Sequence, residues 1–163
     1  MFPEEIEMLA RRVVVRATER GLKIATAESC TGGLVAGAIT EIAGSSAALD
    51  RGFVTYSNLA KAEMLDVAEA TLETFGAVSR ETALEMARGA VKRSGATMSV
   101  AVTGVAGPGG GSDDKPVGLV HFATAGPAGE VHVERRFGAV DRDSVRQASV
   151  KQALEMLLEQ LGA

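Results

Sequence analysis

The chain has no tryptophan and a single tyrosine, Tyr56, so it has little aromatic surface on which to stack bases. Its 17 Lys and Arg residues are scattered among 21 Asp and Glu, leaving a net charge of −4 and no basic stripe; broad nucleic-acid binding is thereby disfavoured. A lone cysteine, Cys30, forbids an internal disulfide. Met1 to Glu5 lacks the basic start and apolar stretch of a secretion signal, and a cytoplasmic location is expected. No uninterrupted apolar run is long enough for a transmembrane helix. Two isolated histidines and the pair Asp113-Asp114 offer no metal-ligand spacing, so neither a metal nor another cofactor is expected. Proline is scarce, at four, beside nineteen glycines, which points to tight turns and close backbone approaches rather than disorder.

What is present suffices for one core: 163 residues, 46% of them hydrophobic, read as a single domain over 1–163. Pro3-Glu4-Glu5 opens a helix whose apolar positions Ile6, Leu9, Ala10, Val13, Val14 and Ala17 run to Gly21. A buried strand is predicted over 22–28 and a helix over 32–42, broken by Gly44-Ser45-Ser46. A short strand follows at 53–56, then helices over 58–65 and about 68–75. Ser79 caps a longer helix that reaches about Ser94. A central strand over 98–103, a glycine-rich loop over 104–116, a hairpin over 117–125 and 130–137, and a last helix from Asp141 complete the chain. This alternation predicts a three-layer α/β/α sandwich with a mixed, mainly parallel sheet of about five strands. Its ligand site is expected beyond the strand carboxyl ends, where Ser29, Tyr56 and Thr103 emerge.

Glu28-Ser29-Cys30-Thr31-Gly32-Gly33 joins the first strand to a helix. Such a junction presents a small polar side chain above the sheet, and the two glycines let a substrate approach the main chain. Ser29 is the candidate nucleophile, with an oxyanion pocket expected from the N–H groups of Thr31 to Gly33. Ala27 and Thr31 replace the glycines of a nucleophile elbow, so the α/β-hydrolase signature is absent. His121 and His132 sit within predicted strands and are poor candidates for the base. Lys61 is better placed: in the first turns of a helix, where the dipole and partial burial favour a neutral amine. Tyr56 is a candidate to orient that lysine or to shuttle a proton. Cys30 is the rival nucleophile, although its side chain and that of Ser29 must diverge from an extended backbone.

The segment Thr103 to Ser112 is no P-loop and no dinucleotide fingerprint; what remains is a loop able to form an anion nest. Arg142 and Lys115 are possible counter-charges for a phosphate, and Ser45 and Ser46 possible donors to a substrate oxygen.

Six blocks in order resemble the CinA C-terminal domain family: 27–33, Ala43-Gly44-Ser45-Ser46, Val54-Thr55-Tyr56-Ser57-Asn58 with Lys61, Gly76-Ala77-Val78-Ser79, 103–110 and Lys115-Pro116-Val117-Gly118. The resemblance covers nearly the whole chain. It implies a sandwich similar to the anticodon-binding domain, and hydrolysis of nicotinamide mononucleotide to nicotinic acid mononucleotide and ammonia in pyridine nucleotide salvage. It also implies a serine/lysine pair at Ser29 and Lys61, with Tyr56 and Thr103 lining the site. Expected substrate contacts are Cys30, Thr31, Gly32, Gly33, Ser45, Ser46, Asn58, Thr103, Gly104, Gly107 and Arg142. The family's Gly-Asp-Arg reads here as Gly138-Ala139-Val140-Asp141-Arg142, which alters the loop before Arg142. The chain resembles the stand-alone form of the family, without the molybdopterin-binding-like domain of larger members. A small-molecule nucleotide is the expected partner, with a homodimer favoured. Two alternatives stay open: the same fold with Cys30 as nucleophile, and a non-catalytic nucleotide-binding or regulatory module.

Overall fold

A computed structural model describes residues 1–162. Helix α1 (Glu4–Arg20) begins behind Pro3, carries three glutamates in its first turn, and ends at Gly21, whose φ of 63° only glycine adopts readily. There follow β1 (Ile24–Glu28), α2 (Leu34–Thr40), a 3₁₀ turn (Ser45–Ala47), β2 (Leu49–Val54), α3 (Asn58–Leu65), α4 (Glu69–Phe75) and α5 (Arg80–Lys92). The chain closes with β3 (Met98–Gly104), β4 (Leu119–Ala125), β5 (Val131–Arg136) and α6 (Arg142–Gln160). Ser57, Ser79 and Asp141 each accept a backbone N–H and so start α3, α5 and α6.

The five strands lie in the order β2-β1-β3-β4-β5. Pairs β1/β2 and β1/β3 are parallel, while β3/β4 and β4/β5 are antiparallel, so four of the five strands run one way. The central strands β1, β3 and β4 are almost wholly buried because helices cover both faces. One layer packs α1, α2 and α6 against Ile24, Met98, Val100, Val102, Val120 and Phe122. The opposite layer sets α5 and the end of α3 against Ala25, Ala27, Ala101, Ala123 and Ala125. That second interface is made of small side chains, so its helices approach closely. A Cβ on Gly89 of α5 would lie 1.8 Å from the Leu65 carbonyl oxygen, which pins α3 directly against α5.

Two sequence expectations need correcting. The second strand runs over 49–54, not 53–56. It is an edge strand carrying Asp50 and Arg51, so its first half lacks the apolar run by which strands are recognised, yet Leu49 and Arg51 pair with Ile24 and Ala25. The second helix is also shorter than 32–42, because Gly33 has φ 103° and forms its cap.

Strand alternation sets up the site. Ile24 packs into one layer and Ala25 and Ala27 into the other, so Glu28 turns toward α2 and Ser29 toward α3.

Candidate active site

Ser29 leaves the carboxyl end of β1 and Lys61 sits one turn into α3, and their side chains meet. Lys61 Nζ lies 3.0 Å from Ser29 Oγ and donates to the carbonyls of Thr55 at 2.8 Å and Tyr56 at 3.3 Å. With 1% of its surface exposed, Lys61 is the largest fully buried side chain, and Ser29 is buried beside it. Burial disfavours the ammonium and pulls the Lys61 pKa down from 10.5 to about 8, against a small opposing influence of Cys30. A neutral amine has two N–H bonds and one lone pair. The two carbonyls take the hydrogens, and the remaining direction faces the serine hydroxyl.

The pair opens into a cavity of about 220 Å³ lined by Ser29, Cys30, Tyr56, Lys61, Ala77, Val78, Thr103, Gly104, Ala106 and Arg142. Thr103 is buried, and its hydroxyl donates to the Ala77 carbonyl at 2.8 Å, tying β3 to the segment that precedes α5. Arg142, the first residue of α6, spans the mouth: it donates to the Gly107 carbonyl at 2.8 Å and to the Tyr56 hydroxyl at 3.2 Å. Gly107 thus anchors Arg142 through its backbone. Tyr56 enters the site differently from the sequence expectation. Its backbone carbonyl holds Lys61, while its exposed phenol pairs with Arg142 at the rim.

The turn after Ser29 is fixed from two sides. Glu28, fully buried, accepts from Thr31 Oγ1 at 2.7 Å and from the N–H groups of Val35 and Ala36 at 2.8 and 3.1 Å. It therefore occupies the positive end of α2. Arg146, one turn beyond Arg142 on α6, donates to the carbonyls of Cys30 at 3.1 Å and Thr31 at 3.3 Å. Neither Glu28 nor Arg146 stood out in the sequence. An acid closing a strand with no other charge was the available signal for Glu28; Arg146 had only its spacing of four from Arg142.

Several expected contacts fall elsewhere. Ser45 and Ser46 precede β2 at the amino end of the sheet, where Lys23 Nζ reaches the Ser46 carbonyl at 2.6 Å; β1 separates them from Ser29 by roughly 16 Å. Asn58 is exposed and lines a different depression, between α3 and α4. Thr31, Gly32 and Gly33 do not line the cavity: Thr31 serves Glu28, Gly32 lies against Arg146 and Gly33 against Val54. The Gly32 N–H is consumed by the Ser29 carbonyl at 3.0 Å, closing a β-turn, so it cannot hold an oxyanion. Lys115 reaches back to the Phe75 carbonyl instead of the cavity. His121 and His132 bond each other at 2.9 Å, and burial pushes both below the ordinary histidine range.

Cys30 projects into the layer of α1, α2 and α6, away from Lys61, and burial pushes its thiol up to about 12. With Glu28 occupying the α2 N-terminus, the dipole is not free to stabilise a thiolate. The rival-nucleophile reading fails on both counts. Cys30→Ala is expected to retain activity within about threefold, and native protein to resist iodoacetamide; alkylation that tracks inactivation would reverse this assignment.

A three-layer α/β/α sandwich with a buried hydroxyl–amine pair beyond its parallel strands defines the class. The CinA C-terminal domain profile matches residues 6–161, and the chain belongs to that family. It is 49% identical over 160 residues to "Nicotinamide-nucleotide amidohydrolase PncC" of Escherichia coli K12, covering 98% of this chain and 97% of that protein. A "CinA-like protein" of Synechococcus sp. is 50% identical over 161 residues, covering 98% of this chain but 39% of that longer protein. Among solved structures, the competence/damage inducible protein CihA of Agrobacterium tumefaciens superposes with a TM-score of 0.97 at 60% identity, covering 100% of this chain and 99% of that one. No helix among the described residues is long and apolar enough to cross a membrane.

Proposed function

We propose that this chain hydrolyses the carboxamide of nicotinamide mononucleotide to nicotinic acid mononucleotide and ammonia, within pyridine nucleotide salvage. The observation that carries the reading is the 3.0 Å contact between a buried, largely neutralisable lysine and a serine at the mouth of the sheet. The relatives named nicotinamide-nucleotide amidohydrolase supply the substrate. The cavity, about 220 Å³, lies below the usual range for a whole drug-sized ligand and suits the reacting ring alone. Ala77, Val78 and Ala106 make its apolar walls, and the ribose phosphate extends past Tyr56 and Arg142.

In this mechanism neutral Lys61 accepts the Ser29 proton as Oγ bonds to the carboxamide carbon. The tetrahedral intermediate collapses by breaking the C–N bond, and Lys61 returns its proton to the departing nitrogen, which leaves as ammonia. Water, deprotonated by the same amine, then attacks the ester and releases the carboxylate and Ser29. The carbonyls of Thr55 and Tyr56 hold the amine in both half-reactions.

Purified protein given nicotinamide mononucleotide should release ammonia, in EDTA as well as without it; no release would sink the reading. Because the unprotonated amine is the active form, kcat/KM should climb about tenfold per pH unit below pH 8 and flatten above it. A flat profile from pH 6 to 9 would remove Lys61 as the base. We also assign residues 1–163 to one folding unit acting as a cytoplasmic homodimer. Exposed Val54, Tyr56 and Leu59, close together in sequence, support the dimer, which light scattering tests: a monomer mass would refute it.

A further inference from the structure

The turn bearing Ser29 has a division of labour that the Ser29–Lys61 pair does not explain. An acyl transfer needs a donor aimed at the developing oxyanion, within about 3 Å of it. Most N–H groups of this turn are already committed. That of Ser29 goes to the Val102 carbonyl at 2.9 Å, that of Gly32 to the Ser29 carbonyl at 3.0 Å, and that of Leu34 to the Thr31 carbonyl at 3.0 Å. Those of Val35 and Ala36 go to Glu28. Cys30 is the residue of this turn after Ser29 that lines the cavity, and apart from its own sulfur its N–H has no acceptor among the described residues.

The peptide planes on either side of Cys30 are both held. A trans peptide points its N–H opposite its C=O. The Gly32 bond to the Ser29 carbonyl therefore fixes the direction of the Cys30 N–H. On the other side, Arg146 grips the Cys30 and Thr31 carbonyls together with one guanidinium fork. Gly32 lies directly beneath that fork, and its φ of 54° is a left-handed conformation that favours glycine at this turn. Arg146 is four residues from Arg142, so one face of α6 carries both the arginine at the rim and the arginine behind the turn.

Building on the amidase reading, we propose that the Cys30 backbone N–H is an oxyanion donor and that Arg146 is the positioning residue that holds it in place. Arg146 touches neither Ser29 Oγ nor Lys61 Nζ; it acts through the Cys30 and Thr31 carbonyls. Losing this clamp lets the turn shift, and misplacement by about an ångström is worth on the order of 100-fold in rate.

The test uses full-length wild type, Arg146→Gln and Arg146→Lys, with melting temperatures taken first. Two probes are applied: nicotinamide mononucleotide, and a fluorophosphonate that phosphonylates active serines through an oxyanion-like transition state whatever the natural substrate. Arg146→Gln should lose about 100-fold in kcat/KM, with a similar fall in the rate of Ser29 labelling. The pH at which the activity limb bends should not move, because Lys61 is untouched. Arg146→Lys, able to hold one carbonyl but not two, should fall between them, and it carries the test if the glutamine variant does not fold. Labelling at the wild-type rate in both variants would overturn the proposal, as would a bend in the pH limb that shifts with the loss of rate. Wild type that is labelled but releases no ammonia would refute the substrate and leave the clamp standing, provided the variants still slow labelling.

Discussion

Ser29→Ala should reduce ammonia release from nicotinamide mononucleotide by about 10⁴-fold or more while leaving the fold intact. The size follows from what the hydroxyl does. Without Oγ there is no covalent step, and what is left is binding plus general-base assistance to water, a small fraction of nucleophilic catalysis. The side chain is small, and deleting it leaves Lys61 its two carbonyl partners, so the melting temperature should change by no more than a few degrees. Hydroxylamine sharpens the measurement. In wild type it intercepts the ester on Ser29 and diverts part of the product to a hydroxamate, whereas Ser29→Ala yields none. Hydroxamate formed by the alanine variant at the wild-type rate would mean that another group carries the acyl chain, and the mechanism would fall.

The features that specify this chemistry differ in how openly the chain displays them. Ser29 was legible because it follows the end of a strand directly and a glycine pair opens the helix three residues later. Lys61 was legible because Ser57 marks where a helix starts, and four residues of helix return a side chain to the same end of the sheet. The layers followed from the alternation of predicted helices and strands along the chain. Ser45 and Ser46 were misplaced although polar and close to glycine, because residue type says nothing about which end of a sheet a loop serves. A segment that precedes a parallel strand lies at its amino end, away from the site. Tyr56 lines the cavity, but residue type speaks for side chains alone, and here it is the carbonyl that meets the lysine.

Glu28 and Arg146 were missed for a related reason. Each acts on backbone groups of a turn far away in sequence or folded back over it, and an isolated Arg in a helix otherwise reads as a solvated charge. Only the three-dimensional account of where every N–H and C=O goes shows that α2 spends its N-terminal donors on Glu28 rather than on a ligand. That account also separates two neighbouring residues with opposite fates: Ser29 faces the amine, and Cys30 lends the site its main chain while its thiol stays buried and protonated.

Lys61→Met should abolish catalysis, by about 10²–10⁴-fold for loss of the base, and also change how stability depends on pH. The second effect is the more discriminating. In the unfolded chain Lys61 keeps its ordinary pKa of 10.5, whereas in the folded protein burial brings it to about 8. Below about pH 8 both states are protonated, and folding bears the whole cost of holding an ammonium out of water. Between pH 8 and 10.5 the folded protein has released a proton that the unfolded chain retains, so wild-type stability gains relative to the methionine variant. The gain totals about 3 kcal/mol, and groups that do not interact with Lys61 cancel in the comparison. Urea unfolding of both proteins at pH 7.5 and pH 10.5 measures it directly. The stability difference, wild type minus Lys61→Met, should rise by that amount across the interval. Parallel stability curves would mean that the amine titrates as it does in water, and a lysine charged in that way at neutral pH cannot take a proton from Ser29.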